Sequence, residues 1–223
     1  MSGGCPLCGG SSSPFHEDKA REYARCGECG LIFVPKRFFA TEQEEKAEYD
    51  LHENTLDDEG YLKFLGRAAQ PVFEIFGDNL EGRTGLDFGC GPCPALASIF
   101  QKRGATVDLY DKFYFKNDAV MESENKYDFI TATEVFEHLA EPRKIFVELW
   151  EKLKFDGILV VMTKRAEGSV EKFRNWHYKR DKTHICFFTD NTFKWVSQNL
   201  IDGELLFYSK DVVVLTKKRT TTQ

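Results

Sequence analysis

Leu86-Asp87-Phe88-Gly89-Cys90-Gly91-Pro92-Cys93 is the stretch whose reading decides the fold. An apolar run ends in an acid, passes through a bend of small residues, and gives way to a helical pattern beginning near Pro94. A strand that turns through glycines into a helix is the ligand-binding corner of doubly wound α/β proteins. Glycines let the backbone approach a bound molecule, and a helix N-terminus directs free amides and a positive dipole toward a carboxylate.

Two other chemistries use the same pieces. A dinucleotide loop needs G-x-G-x-x-G, but Pro94 stands where the third glycine belongs. Cys90-Gly91-Pro92-Cys93 also spells a redox dithiol at a strand-helix turn. That reading lacks the usual tryptophan before the first cysteine and leaves Asp87 and Gly89 without a role.

Outward from this corner, short apolar runs alternate with helical stretches, as βαβ units do. Strands are predicted at 84–88, 106–110, 127–131, 157–163, 204–208 and 211–216. Helices are predicted at about 93–103, 141–153 and 190–199, with Asp190 or Asn191 capping the last. Residues 164–188 read as a loop. Only Asp111 to Lys126 separates the second strand from the next clear one, so an intervening strand and helix must be shortened or missing. Upstream, Glu42, Glu44, Glu45, Lys46 and Glu48 read as an exposed helix. A second helix follows from Tyr61, Leu62, Phe64, Leu65, Ala68, Val72, Phe73 and Phe76. The expected architecture is a mostly parallel α/β sheet with an antiparallel last strand over 81–223, a helical cap or linker over 35–80, and a small unit over 1–34.

A second ligand residue follows from the strand 106–110, which ends at Asp111 about 20 residues after the glycine bend. An acid at this strand tip can accept both hydroxyls of a ribose. Asp108 is the alternative, but it lies within the strand, paired or exposed.

The small unit carries Cys5-Pro6-Leu7-Cys8-Gly9 and Cys26-Gly27-Glu28-Cys29-Gly30, two near-identical knuckles with 17 residues between them. Zinc takes four soft ligands in a tetrahedron, and each Cys-x-x-Cys turn supplies two thiolates. The glycine after each pair relieves crowding at the sulfur. Cys5, Cys8, Cys26 and Cys29 are therefore the expected ligands of a structural, closed zinc ribbon. A pair of disulfides is the alternative, disfavoured in a cytosolic protein.

The glycine corner resembles the first motif of class I S-adenosylmethionine-dependent methyltransferases, D-x-G-C-G-x-G, with Cys93 in place of the last glycine. The resemblance extends across nearly all of 36–216, including Tyr127-Asp128-Phe129-Ile130 and Glu134-Val135-Phe136-Glu137-His138-Leu139, which is similar to an E-V-x-E-H segment common in bacterial methyltransferases. Tyr49-x-x-His52-x-Asn54, followed by Gly60-Tyr61, resembles the capping region of relatives bearing zinc ribbons. The resemblance implies S-adenosylmethionine as methyl donor and S-adenosylhomocysteine as product. It implies contacts from Asp87, Phe88, Gly89, Cys90, Gly91, Asp111, Lys112 and Glu134, with Tyr49, Asn54 and Tyr61 covering the cofactor. Tyr49 and Tyr61 read equally well as packing residues.

Methyl transfer from a sulfonium is an in-line displacement, so the protein aligns the reactants and excludes water. A base matters only where the acceptor must lose a proton. Residues after the fourth and fifth strands face the ligand edge of the sheet. Glu134, Glu137 and His138, spaced i, i+3, i+4, would share one helical face. With His184 they could hold a divalent metal such as Mg2+, as a related E-x-x-E-H set does in small-RNA 2′-O-methyltransferases and certain quinone O-methyltransferases. The plainer reading has Glu134 lining the cofactor pocket. Within the loop, Trp176, His177, Tyr178, Asp181, Thr183 and His184 form an aromatic and polar cluster. His184 is the first candidate for general base, because imidazole titrates near neutrality. His177 is the second, with Asp181 beside them.

A formal charge of −6, 42% hydrophobic and 14% aromatic residues fit a folded α/β protein and disfavour a general nucleic-acid binder. Between 164 and 182 there are seven Lys/Arg against three acids, a local excess that could recruit an anionic acceptor. No secretory signal and no membrane span are expected, so a cytoplasmic protein is the default. The leading expectation is a methyltransferase acting on oxygen or nitrogen of a small molecule. The rivals are an RNA or tRNA methyltransferase whose ribbon grips nucleic acid, and a non-catalytic zinc adaptor. The intact set of Asp87, Gly89, Gly91 and Asp111 argues against the adaptor.

Overall fold

The computed structural model describes residues 4–51, 55 and 58–219. Near the N-terminus lie β1 (Ser12–Glu17), β2 (Glu22–Cys26) and β3 (Ile32–Phe33), followed by α1 (Glu42–Tyr49) and α2 (Glu59–Phe76). The main sheet begins with β4 (Thr84–Phe88), α3 (Ala95–Gln101), β5 (Thr106–Tyr110), α4 (Asp118–Met121) and β6 (Tyr127–Thr133). It continues through α5 (Pro142–Lys152), β7 (Leu153–Met162), α6 (Val170–Asn175) and β8 (Cys186–Phe187). The chain closes with α7 (Asp190–Asn199), β9 (Glu204–Phe207) and β10 (Val212–Thr216).

Six strands form one sheet in the order β5-β4-β6-β7-β10-β9. The first four run parallel, and β10 inserts antiparallel between β7 and β9. This is the doubly wound, mostly parallel architecture that the strand-helix alternation predicts. Alternate residues of each strand serve opposite faces. On one face Phe129, Ile158, Val160, Met162, Val212 and Val214 pack with α2 and α3 through Leu65, Ala68, Val72 and Phe100. On the other, Leu86, Ile130, Leu159, Val161, Val213 and Leu215 join Phe146, Leu149, Phe193 and Val196 of α5 and α7. The helix α2, expected as part of a cap or linker, thus belongs to the packed layer of the sheet.

Between Asp111 and Lys126 the chain forms only α4 and an isolated bridge from Asp111 to Phe115, leaving β5 as the edge of the sheet. The stretch 164–188 is more structured than the expected loop, because it contains α6, a 3-10 turn at His177–Arg180, and β8. Its strand pairs with β3 (Ile32 to Phe187, Phe33 to Cys186), extending the ribbon to a four-stranded sheet β1-β2-β3-β8. A two-residue strand whose partner lies far away in sequence leaves no periodicity to read. The cap of α7 is also one residue earlier than expected. Thr189 accepts from the Thr192 amide, while Asp190 opens the helix, where its charge suits the positive end of the dipole.

At Gly85 a ring of the neighbouring strand lies directly over the backbone, since a Cβ there would collide with Phe129. Phe129 is fully buried and packs against Phe100 with ring centroids 4.7 Å apart. Gly85→Ala is expected to destabilise the protein by about 1–3 kcal/mol through overpacking, measured as a lower urea midpoint. An unchanged midpoint would show that the ring shifts freely.

Candidate functional site

The carboxyl ends of β4, β5 and β6 open into a cavity of about 660 Å³. Its walls come from the glycine corner, the β5 tip, α1, the start of α2, the turn after β6, and residues 164–184. Every residue predicted to bind cofactor or act on an acceptor lines it, apart from Asn54, which lies outside the described residues.

The parallel ladder builds the cofactor corner. Asp87 lies opposite Leu109 on one side and Thr131 on the other. It is 3% exposed, and Thr131 Oγ1 donates to it at 2.9 Å. Burial pushes Asp87 up to about 6, aided by the nearby Asp111 charge and opposed by Thr131. A buried acid held this far above its usual range is suited to a ligand that brings a cation. Gly89 and Gly91 take φ values of +74° and +63°, backbone that a side chain would strain, and the space beside Gly91 is open. The amides of Gly89 and Cys90 both donate to Tyr110 O, at 2.7 and 3.2 Å.

Asp111 does more than the ribose role predicts for it. It accepts from the amides of Gly91 at 3.0 Å, Phe113 at 2.8 Å and Tyr114 at 3.1 Å. A carboxylate offers about four acceptor positions, so a single one is left for a ligand hydroxyl. Asp108 is paired, as the alternative reading required, with Lys126 at 2.5 Å and Tyr127 at 2.7 Å. Lys112 pairs with Glu45 of α1 at 2.6 Å, and Tyr49 packs edge-on against His138. The Cys90 thiol is raised well above its ordinary value by burial, the opposite of a reactive redox dithiol.

The other end of the cavity is a buried polar network. Glu134, Glu137 and His138 do not share a helical face as predicted. Glu134 has left-handed backbone (φ +51°), and only Phe136–His138 form a 3-10 turn. The two carboxylates converge on Tyr178 instead, while His138 packs against His184 and Tyr49. The Tyr178 hydroxyl lies 3.0 Å from Glu134 Oε2, within hydrogen-bonding distance of Glu137 Oε1 and 3.2 Å from Thr163 Oγ1, and its single proton serves one of these oxygens at a time. Burial, then the Glu134 charge, raises Glu137 well above the carboxylate range, and burial raises Glu134. Glu134 Oε1, Glu137 Oε2 and Thr133 Oγ1 are buried without a hydrogen-bond partner among the described residues.

Both histidines of this end have fixed tautomers, because a backbone carbonyl can only accept. His184 Nδ1 donates to Tyr178 O at 2.7 Å, and His138 Nδ1 donates to Thr183 O at 3.2 Å. Each therefore keeps a lone pair on Nε2. Burial holds His138 down to about 3. It also lowers His184, where Asp181, 3.5 Å from Nε2, pulls the other way. His177 is exposed, and its Nε2 accepts from Lys164 at 3.0 Å. The basic residues of 164–182 are largely paired: Arg165 with Asp190, Lys172 with Glu167, Lys179 with Asp18 and Lys182 with Glu48. Thr131 was not named from the sequence, and Tyr178 was named only as a member of the loop cluster, without its part in holding Glu134 and Glu137. Thr131 was findable, since β6 places it in register with Asp87. The part of Tyr178 was not, because its partners come from another element.

In the ribbon, Cys5 and Cys29 sulfurs are 3.5 Å apart and Cys8 and Cys26 sulfurs 3.3 Å, all four lying within 4.8 Å of one another. A zinc tetrahedron with bonds of about 2.3 Å has edges of about 3.8 Å, so the four thiols fit the ion. The amides of Gly10 and Glu28 donate to Cys8 and Cys26 sulfurs at 3.3 and 3.4 Å. Among the described residues no helix is long and apolar enough to cross a membrane.

A glycine corner, an acid at the neighbouring strand tip and a cavity across the carboxyl edge define a doubly wound protein that binds a nucleoside-bearing cofactor. A methyltransferase-domain family model matches residues 61–200, and the chain belongs to that family, the class I S-adenosylmethionine-dependent methyltransferases. Among solved structures, the 1,6-didemethyltoxoflavin-N1-methyltransferase of Burkholderia thailandensis, determined with its acceptor and S-adenosylhomocysteine, shares the fold. It is 15% identical, with a TM-score of 0.55 over 93% of this chain and 100% of its own. A protein of Methanococcus maripaludis assigned as an S-adenosyl-L-methionine-dependent methyltransferase is 17% identical, with a TM-score of 0.52 over 85% and 98%. One of Galdieria sulphuraria, assigned as a sarcosine dimethylglycine methyltransferase, is 22% identical and overlaps 45% of each chain at a TM-score of 0.40. The chain thus spans less than half the length of that protein. No curated protein matches the chain in sequence.

The raised Asp87 yields a sign-definite expectation. An acid whose folded pKa lies above its unfolded value of about 3.9 costs nothing below the unfolded pKa. Its burial is felt increasingly as pH rises to about 6, and in full above that. Asp87→Asn is expected to be more stable than the parent at pH 8 by up to about 2–3 kcal/mol, with the gain vanishing near pH 4. It is expected to bind S-adenosylhomocysteine at least tenfold more weakly. Denaturation at both pH values and calorimetric titration check the two arms, and equal affinity would remove Asp87 from the cofactor site.

Proposed function

We propose that this methyltransferase transfers the methyl group to an oxygen or nitrogen of a small-molecule acceptor, and that His184 removes the acceptor's proton. One observation carries the reading. The glycine corner and the Tyr178–His184 cluster face a single cavity whose volume, about 660 Å³, is in the range of small-ligand clefts.

S-adenosylmethionine supplies the electrophilic methyl group when bound. Asp87, Gly89, Gly91 and Asp111 form the corner that would hold it, with Phe88, Cys90, Lys112, Tyr49 and Tyr61 lining the same space. Glu134 spans the middle, fixed by Tyr178. At the far end His184 is neutral at physiological pH because burial lowers it, and its Nε2 lone pair is free to take a proton. Asp181, beside that nitrogen, stabilises the imidazolium that results. His138, held down to about 3, is a poor base and is assigned to orientation. Lys164, donating to His177 Nε2, puts a cation at the rim where an anionic acceptor could dock. The reading favours a small acceptor over RNA on the overall charge of −6 and the extensive pairing of the basic residues in 164–182.

A second reading of the far end is favoured by the approach of Glu137, His138 and His184 ligand atoms to within 4.8 Å of one another. Two imidazoles and a carboxylate suit a transition metal better than Mg2+, which prefers oxygen ligands. Both histidines donate their other ring nitrogen to a carbonyl, as metal ligands do. We likewise assign one structural Zn2+ to Cys5, Cys8, Cys26 and Cys29.

Metal analysis of purified protein is expected to give one zinc per chain, lost to chelator together with folding of 1–34. Two metals per chain would favour the second reading, and none would refute the ribbon assignment. S-adenosylhomocysteine is expected to bind with micromolar affinity, and absence of binding would overturn the proposed function. Once an acceptor is in hand, His184→Ala is expected to lower kcat by about 10²–10⁴-fold while changing cofactor affinity less than twofold. The parent's turnover should rise with pH through a midpoint below the ordinary histidine value of about 6.5. Equal losses in turnover and binding would make His184 structural.

A further inference from the structure

Residues 178–184 carry Tyr178, Asp181 and His184 to the cavity, yet beyond one 3-10 turn they have no regular structure to satisfy their own backbone. A buried carbonyl left without a donor costs about 1–3 kcal/mol. Side chains supply the donors. His184 takes Tyr178 O, and His138 takes Thr183 O. Three more carbonyls are taken by one guanidinium. Arg21 donates to Lys179 O at 2.6 Å, Asp181 O at 2.6 Å and Lys182 O at 3.0 Å.

Arg21 comes from the turn before β2 in the ribbon and is 6% exposed. Its Nε donates to Tyr23 Oη at 3.1 Å, whose hydroxyl donates to Asp18 at 3.0 Å. Asp18 also pairs with Lys179, which is buried on the same segment. Burial pushes Asp18 up, but Lys179 and the amides of Ala20 and Arg21 bring it well below the usual carboxylate range. Among the described residues the guanidinium makes no ion pair with a carboxylate, so it acts as a template for backbone more than as an ion-pair partner. Arginine suits this task because its planar fork presents five donors in fixed directions, whereas an ammonium is a compact point charge. The cofactor corner is held by different bonds, those of Asp111 with Gly91, Phe113 and Tyr114.

We propose that Arg21 is a positioning residue for the acceptor end of the active site: from the ribbon, it sets the backbone path of 178–184 and hence the aim of Tyr178, Asp181 and His184. The inference rests on the acceptor-end role assigned to those side chains above. It gives the ribbon a task inside the catalytic unit, and it predicts that the two halves of the cavity respond separately to one substitution.

The test uses the full chain with its metal as purified, in three forms: unaltered, Arg21→Met and Arg21→Lys. Amide hydrogen exchange is expected to accelerate at least tenfold at Thr183, His184 and Ile185 in Arg21→Met. It should accelerate less in Arg21→Lys, which can reach one carbonyl at a time. Nitrogen-15 spectra are expected to show His184 changing from a single Nδ1–H tautomer to a mixture. Affinity for S-adenosylhomocysteine and exchange in β4–β6 should stay within twofold of the parent. Unchanged exchange at 183–185 with a single His184 tautomer in both variants would overturn the proposal. So would loosening that spreads equally into β4–β6 with loss of S-adenosylhomocysteine binding, which marks a merely structural arginine. If Arg21→Met does not fold, the Arg21→Lys spectra decide alone. Absence of S-adenosylhomocysteine binding by the unaltered chain would refute the functional reading beneath the proposal, a result distinguished by needing no substitution.

Discussion

The register of β4 between β5 and β6 is the constraint from which the site follows. Asp87 faces Thr131 and Leu109 in that ladder, and the bend after Phe88 is laced to β5 through two amides on Tyr110 O. A slip of one residue would turn Asp87 to the opposite face and break the match with Thr131. Gly85 makes the register possible by leaving room for Phe129, whose ring fills the space with Phe100. The ladder therefore places a buried acid where water cannot solvate it. The fold accepts that cost at the end of a strand, beside a cavity, where a ligand can offset it.

The two ends of the cavity are built by different means. At the cofactor end, backbone and a few nearby side chains suffice, because strand tips and glycine bends are local structures. At the far end, the side chains come from 133–138, 163–164 and 177–184, and the backbone of the last of these is held by Arg21, more than a hundred residues upstream. Phe173 and Phe187 pack with Phe15 and Tyr23 in one aromatic cluster, and β8 completes the ribbon sheet. The ribbon and the segment 166–188 are one structural unit.

This difference explains what the sequence discloses. The strands β4, β5 and β10, the helix α7 and the corner at 86–93 are written in periodicity and glycine spacing, and the four cysteines in their pairing. Asp111 was legible as a strand-tip acid, but not as the acceptor for three amides, since that depends on how the following turn folds back. The helical face expected for Glu134, Glu137 and His138 fails because the left-handed backbone at Glu134 precedes a single 3-10 turn, a choice that spacing alone does not reveal. The sequence placed Tyr178 in the loop cluster without its role, and Arg21 was not singled out at all, because each acts on partners from another element.

The helix α1 deserves a different weight from the rest of the cavity wall. It buries none of its residues and is tied to the body by Lys112 on Glu45, Tyr114 on Asp50 and Lys182 on Glu48, all partly or largely solvent-facing. Exposed pairs of this kind contribute about 0–1 kcal/mol each and weaken as salt rises. The opposite walls are sheet ends and packed aromatics, which yield only with the core. Of the surfaces enclosing the chamber, this short polar helix is the one held chiefly by exposed charges, with Tyr49 on Phe113 and His138 as its apolar anchor, so the firmness of that wall depends on ionic strength.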